Sequence, residues 1–301
     1  MFGRTRPNRA GSMTVAANGI EIWYQSFGDR NDPALFLLMG AGAQSLYWPE
    51  PLCRMLADGG RYVIRYDHRD LGGSTWIQAG PNTWSELKRT PPYTLSDMAR
   101  DALGLMDGLG VHRAHLVGAW LGGVLIEVAA GLAPERLLSA TLIGATPPWP
   151  AEYFEELWST MEHNHRPLHS PEELIEQGMA IARASCGPGF PFEEPRIRAL
   201  WSEMVRRGNR PMARARHVSA GFFSPRPGPR SLADAKMPVL VLEGTAERGY
   251  SGMAEYAGRV PQASFVPIEG LGHDLPSPAW SLIAEHVLRH SELSPPAGAP
   301  A

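Results

Sequence analysis

The stretch "AHLVGAWLGGVLIEVAA", residues 114–130, decides how the chain is read. A short apolar run ends in a tight turn with glycine at 118 and 122, and a helix of small and apolar residues follows. In the pattern Gly-x-Ser-x-Gly such a strand-to-helix turn displays a nucleophilic serine at its middle position. Here that position is Trp120. An indole has no nucleophilic oxygen or sulfur and no useful base. Gly118 and Gly122 are explained by packing alone, because a strand turning sharply into a helix leaves no room for β-carbons.

Working outward, apolar runs alternate with helical patterns, which predicts a mainly parallel sheet covered by helices. Residues 34–40, 62–67, 114–118 and 139–144 read as buried parallel strands, and 238–244 and 264–270 continue the series. "GIEIWYQSFG" places Ile20, Ile22 and Tyr24 on one side, as an antiparallel edge strand does. In residues 94–110, Leu95, Met98, Ala102, Leu105 and Leu109 share a helical face, and Thr94 with Asp97 forms a capping box at its start.

Residues 147–232 interrupt this alternation. They open with "PPWP", close with "SPRPGPRS", and hold helical patterns near 151–163, 171–185, 193–207 and 211–222. An insertion there is expected to lie over the carboxyl ends of the strands, where open parallel sheets bind ligands. Most of its aromatic and Met side chains are expected to pack it against the rest; Trp158 and Trp201 are expected to line a pocket. The predicted organisation is a flexible extension (1–12), a core (13–146 and 233–292), a helical cap (147–232) and a disordered tail (293–301).

Composition narrows the function. Of the 301 residues, 44% are hydrophobic and 20% charged, with a net charge of −3, which is ordinary for a soluble domain and gives no reason to expect nucleic acid or an anionic membrane as partner. No apolar run approaches the roughly 20 residues of a membrane span. The N-terminal stretch is basic without an apolar core, unlike a secretory signal. Cys53 and Cys186 make no disulfide framework, and no metal-ligand spacing is present; "HNHRPLH" (163–169) lacks acidic or thiol partners. A cytoplasmic protein without metal or cofactor is expected.

Four further words carry a resemblance: "FGDRNDPALFLLMGAGAQSLYWP" (27–49), "LADGGRYVIRYDHRDLGGST" (56–75), "MDGLGVHRAHLVG" (106–118) and "IEGLGHDLPS" (268–277). With them the chain resembles an α/β-hydrolase and, within that superfamily, is similar to the aclacinomycin methylesterase group of actinomycete polyketide-tailoring enzymes. The resemblance implies a twisted eight-stranded, mostly parallel sheet with a cap over the active site. The family's nucleophile falls on Trp120, its acid on Glu247 where aspartate is usual, and its histidine on His273. Its two oxyanion-binding amides map to Leu121 and to Ala41 or Gly42. The "DHRDLGGS" loop reads as shaping the structure, and Ser45 lies near the oxyanion loop.

Without a serine, acyl transfer through residue 120 is lost by composition. A histidine that moves protons and amides that stabilise an enolate remain, and they suit proton transfer beside a carbonyl. A flat ring at 120 can stack on an apolar, polyketide-like substrate and exclude water. The expected function is a non-hydrolytic tailoring enzyme of polyketide-type metabolism, a cyclase (pericyclic cyclisation included) or a proton-transfer or lyase enzyme. Two alternatives stand beside it: a hydrolase using water activated by His273, and a catalytically silent ligand-binding protein.

Overall fold

The computed structural model describes residues 6–8, 12–81, 83–145, 151–164, 170–208, 210, 212–224, 232–234, 236–247 and 252–293. Nine strands form one sheet: β1 (Arg6–Asn8), β2 (Ser12–Ala17), β3 (Ile20–Phe27), β4 (Ala34–Leu38), β5 (Tyr62–Tyr66), β6 (Ala114–Ala119), β7 (Leu137–Ile143), β8 (Val239–Gly244) and β9 (Ala263–Ile268). Their order is β1-β2-β3-β5-β4-β6-β7-β8-β9. The six strands from β4 to β9 are mutually parallel; β1, β2 and β3 run antiparallel to their neighbours. Eight strands make the anticipated mostly parallel sheet, and the three residues of β1 add a ninth, inside a segment expected to be a flexible extension.

The central strands are buried throughout because helices cover both faces. One face carries α3 (Leu95–Leu109), α4 (Leu121–Leu132) and α9 (Met253–Gly258); the other carries α1 (Glu50–Asp58) and α10 (Trp280–Glu292). Alternation along β4 shows the two layers: Phe36 and Leu38 face the first, Leu35 and Leu37 the second. All five anticipated face residues of α3 are buried. The Thr94 hydroxyl accepts the Asp97 N–H at 3.1 Å while the Asp97 carboxylate accepts the Thr94 N–H at 2.8 Å.

Two expectations need correction. β3 is not an edge strand, since β2 and β1 lie outside it. β9 is not buried like the strands before it, because it closes the other edge and leaves most of its side chains partly exposed.

Between β7 and β8 the chain forms α5 (Ala151–Asn164), α6 (Pro171–Ser185), α7 (Glu194–Arg207) and α8 (Ala213–Phe223), with no strand among the described residues of this stretch. The short α2 (Trp84–Leu87) packs against α8. Arginines anchor these helices to the loop after β5. Arg207 pairs with Asp67 at 2.5 Å, Arg216 with Asp70 at 2.8 Å, and Arg210 also pairs with Asp70; both carboxylates are fully buried. The "PPWP" start of the predicted cap, "SPRPGPRS" beyond Ser224, "HNHRPLH" beyond its first two residues and the tail from 294 lie outside the described residues.

Candidate active site

The turn at residue 120 is held open by its glycines. A methyl group on Gly118 would fall 2.3 Å from the Gly122 carbonyl carbon, and one on Gly122 would fall 2.1 Å from the Leu38 oxygen. Helix α4 could not approach the sheet this closely with any larger residue at either place. Trp120 itself sits at φ 53°, ψ −117°, a conformation that costs a β-substituted residue about 1–3 kcal/mol. Its N–H donates to the Ile143 oxygen at 2.9 Å, tying the turn to β7.

The indole is 8% exposed. Its benzo edge lies over Gly40, where an added methyl would meet Cε3 at 2.8 Å. Its pyrrole edge lies by Gly144, where an added methyl would be 3.2 Å from Nε1 and 3.2 Å from Glu247 Oε2. Against the indole face lies the imidazole of His273, with ring centroids 4.2 Å apart and planes inclined by 30°. His273 Nδ1 is 2.5 Å from Glu247 Oε1. The Glu247 side chain is 9% exposed and that of His273 is 40% exposed. In the neutral ring a carboxylate at Nδ1 favours the tautomer with the proton there and the lone pair on Nε2. The longer glutamate therefore reaches its histidine.

The His273 loop is gripped from the side by the α6–α7 connection. The Gly189 N–H donates to the Gly270 oxygen at 3.0 Å. Methyl groups on Gly187, Gly189, Gly270 or Gly272 would each fall within 2.6 Å of a backbone atom of the opposing segment. Beyond the histidine, Ser277 donates its N–H to Glu193 at 2.8 Å, and burial pushes the neighbouring Asp274 carboxyl up.

The predicted amide donors separate. Leu121 is the first residue of α4, at the positive end of the helix dipole, and the Trp120 side chain makes no capping hydrogen bond to that helix. The Gly42 N–H, by contrast, donates to His217 Nδ1 at 3.1 Å. The Gly42 N–H is thereby engaged within the protein, while Ala41 lies next to the Gly40 that touches the indole.

Neither predicted pocket tryptophan joins this group. Trp158 is 1% exposed and packs with Leu87, Ala215 and Val218, edge-on to Trp84. Trp201 is spent on joining helices, with its ring against Gly178 of α6 and its edge toward Tyr47. Aromatic identity in a helical insertion does not distinguish a pocket wall from a helix interface, and here both rings serve the interface. Ser45 is fully buried and donates to Asp67 Oδ1 at 2.7 Å, which takes it out of reach of chemistry. His217, unremarkable in the sequence, proves to touch the 40–42 loop; only the fold could reveal it.

Among the described residues no cluster of three or more His, Cys, Asp or Glu could hold a metal ion, and no helix is long and apolar enough to cross a membrane. The alpha/beta hydrolase fold family matches residues 33–162. The chain is 27% identical to rhodomycin D methylesterase DnrP of Streptomyces peucetius and 28% identical to rhodomycin D methylesterase DauP of Streptomyces sp. (strain C5), in each case over 92% of this chain and 97% of the relative. Among solved structures it is similar to the enol-lactonase of Burkholderia xenovorans LB400 (TM-score 0.73, 20% identity, 92% of this chain and 98% of that one) and to E-2-(acetamidomethylene)succinate hydrolase (TM-score 0.73, 22% identity, 93% and 98%). The doubly covered parallel sheet, the strand–turn–helix at Trp120 and these likenesses agree: the chain has the α/β-hydrolase fold.

Proposed function

We propose that this protein is a non-hydrolytic tailoring enzyme acting on a polyketide-like substrate, in which Trp120 stands in place of the family's nucleophilic serine and residues 147–232 form the cap. The observation that carries the reading is the pairing of His273 with Glu247 at 2.5 Å while an indole lies flat on the same imidazole. The proton-handling half of a hydrolase site is kept, and its acyl-accepting half is absent from residue 120.

In this reading Nε2 of His273 takes a proton from the carbon beside a substrate carbonyl. The N–H groups of Leu121 and Ala41 donate to the oxyanion of the resulting enolate. The enolate carbon then attacks a second carbonyl of the same molecule, and the new alkoxide takes the proton back from the imidazolium. One carbon–carbon bond forms, no water is consumed, and product and substrate have equal mass. General acid–base action of this kind is typically worth about 10²–10⁴ in rate, and each preorganised oxyanion donor about 2.7–4 kcal/mol. Trp120 presents an apolar wall and keeps water from the imidazole face it covers.

A second reading has specific support. His273 is 40% exposed along its side chain, so water can reach its other face, and the two Streptomyces relatives are methylesterases. In that case Nε2 would activate water directly, as a hydrolase without a covalent intermediate. Incubation with rhodomycin D and with linear polyketide precursors in ¹⁸O-labelled water tests both. An isomeric product free of ¹⁸O supports the proposal; an acid carrying one ¹⁸O, lost with His273→Ala, supports the second reading; binding without turnover contradicts both.

A further inference from the structure

We propose that His217 is a positioning residue for the oxyanion site: by accepting the Gly42 N–H it fixes the 40–42 loop so that the Ala41 N–H is the one presented to substrate. The inference rests on the oxyanion role given above to Ala41 and Leu121, and adds to it a residue from α8 that lies well outside the β4–α1 region in sequence.

The contact is built from both sides. Gly42 has φ +71°, a left-handed conformation that glycine adopts without strain. A methyl group there would fall 2.4 Å from Cβ and 2.8 Å from Cα of Arg214, so the loop lies directly on the first turn of α8. One turn on, His217 is fully buried, and its two ring nitrogens have separate partners. Nδ1 faces the Gly42 N–H at 3.1 Å and Nε2 faces the Arg69 oxygen at 2.9 Å. A backbone N–H can only donate and a carbonyl can only accept, so the ring is the neutral tautomer with its proton on Nε2. Burial pushes this imidazole down to about 3, which keeps it neutral at ordinary pH. His68 and Tyr93 close on it edge-to-face, with centroids 5.9 and 6.0 Å away. His217 therefore has one orientation, and Gly42 inherits it.

The consequence is a choice between adjacent amides. Successive N–H groups beside a left-handed residue can converge on one anion, so the bond to His217 decides whether Gly42 shares that task with Ala41. Satisfying Gly42 internally removes its N–H from competition and sets the preceding peptide plane, which carries the Ala41 N–H beside Gly40 and the indole. A loop free to rotate would present the two amides in turn and lose the preorganisation on which oxyanion stabilisation depends.

Two conservative variants separate this role from plain packing. Asparagine places its oxygen near the Nδ1 position and can accept from Gly42; glutamine places its amide near Nε2 and can serve Arg69 but not Gly42. The probe is 4-nitrophenolate, compared with uncharged 4-nitroanisole at a pH above the phenol's pKa, with the visible band of the bound phenolate followed as well. The wild-type protein is expected to favour the phenolate by about ten-fold or more, the range of a charge-assisted hydrogen bond. His217→Asn should keep that preference and His217→Gln should lose it, whatever their relative thermal stabilities. In the wild-type protein, a nitrogen–nitrogen coupling across the hydrogen bond from Gly42 to His217 Nδ1 should be seen by NMR, a measurement that needs no variant. Retention of the preference in His217→Gln, equal loss in both variants, or absence of the coupling overturns the assignment of His217. Absence of any phenolate preference in the wild-type protein overturns the oxyanion reading itself, and this inference with it.

Discussion

The indole of Trp120 and the imidazole of His273 are stacked, centroids 4.2 Å apart and planes 30° apart, and the imidazole is held from its edge by Glu247. A serine at the same turn would offer this histidine a hydroxyl to deprotonate. The indole offers a surface. The chemistry proposed for the site rests on that difference, and the predictions below test its parts.

Backbone strain at the turn is measurable. Trp120 has φ 53°, ψ −117°, where only glycine is unstrained. Trp120→Ala and Trp120→Gly both delete the ring, so both should be less stable than wild type; removing a buried aromatic ring typically costs about 3–5 kcal/mol. Glycine, usually the less stabilising of the two, should here be the more stable variant by roughly 1 kcal/mol. Urea midpoints of the two proteins decide it, and a more stable alanine variant would contradict the strained geometry.

Glu247→Gln tests whether the carboxylate sets the tautomer of His273. The amide is nearly isosteric but carries no charge to stabilise an imidazolium. Turnover should fall by roughly 10²–10⁴, the range assigned to acid–base assistance, with KM little changed and the fold intact by circular dichroism. An active variant would show that His273 works without its partner.

Acid should destabilise the protein from near pH 6.5 downward. Burial lowers His68 and His115 to about 4 and His217 to about 3, while the unfolded chain holds ordinary imidazoles. Between the unfolded value and the folded ones, only the unfolded state takes up protons, so stability is lost as pH falls through that window. The loss levels off, residue by residue, once pH passes each folded value. The dependence of unfolding free energy on pH near 5 should approach three protons from these groups, and His115→Gln should remove one. A flat profile between pH 6.5 and 4 would mean that these imidazoles are not buried neutral.

Gly270→Ala should disconnect the histidine from its support. Its backbone is at φ +69°, and a methyl group would fall 2.4 Å from the Cα and 2.8 Å from the N of Gly189. Since both opposing atoms belong to backbone, the α6–α7 connection must move away. Activity should drop at least ten-fold, beyond what the stability loss explains at low temperature, and the His273 ring protons should lose the upfield shift that Trp120 imposes on them. A variant that keeps that shift would show that the interlock does not place His273.

Most of the sheet could be read from sequence because its signals are local. Apolar runs of five to seven residues mark β4 to β8, and the Thr94–Asp97 box marks the start of α3 at the residue observed. β2 carries no comparable signal because "SMTVAA" holds only scattered apolar residues beside a polar N-terminus; its identity as a strand comes from pairing with β3, which no local pattern reports. His273 and Glu247 came from a resemblance in loop words, and the structure brings them to 2.5 Å. The stack of His273 on Trp120 and the capture of Gly42 by His217 join residues more than 150 positions apart. Trp158 and Trp201 mark the opposite limit: a ring on an amphipathic helix looks the same in sequence whether it meets a ligand or another helix.

The most direct test is mass spectrometry of a single-turnover mixture of excess protein with a polyketide methyl ester in ¹⁸O-labelled water, reading intact protein and product together. The account predicts a product isomeric with the substrate, no ¹⁸O, no methanol and no mass added to the protein. Release of methanol with an acyl group carried on any side chain would contradict it.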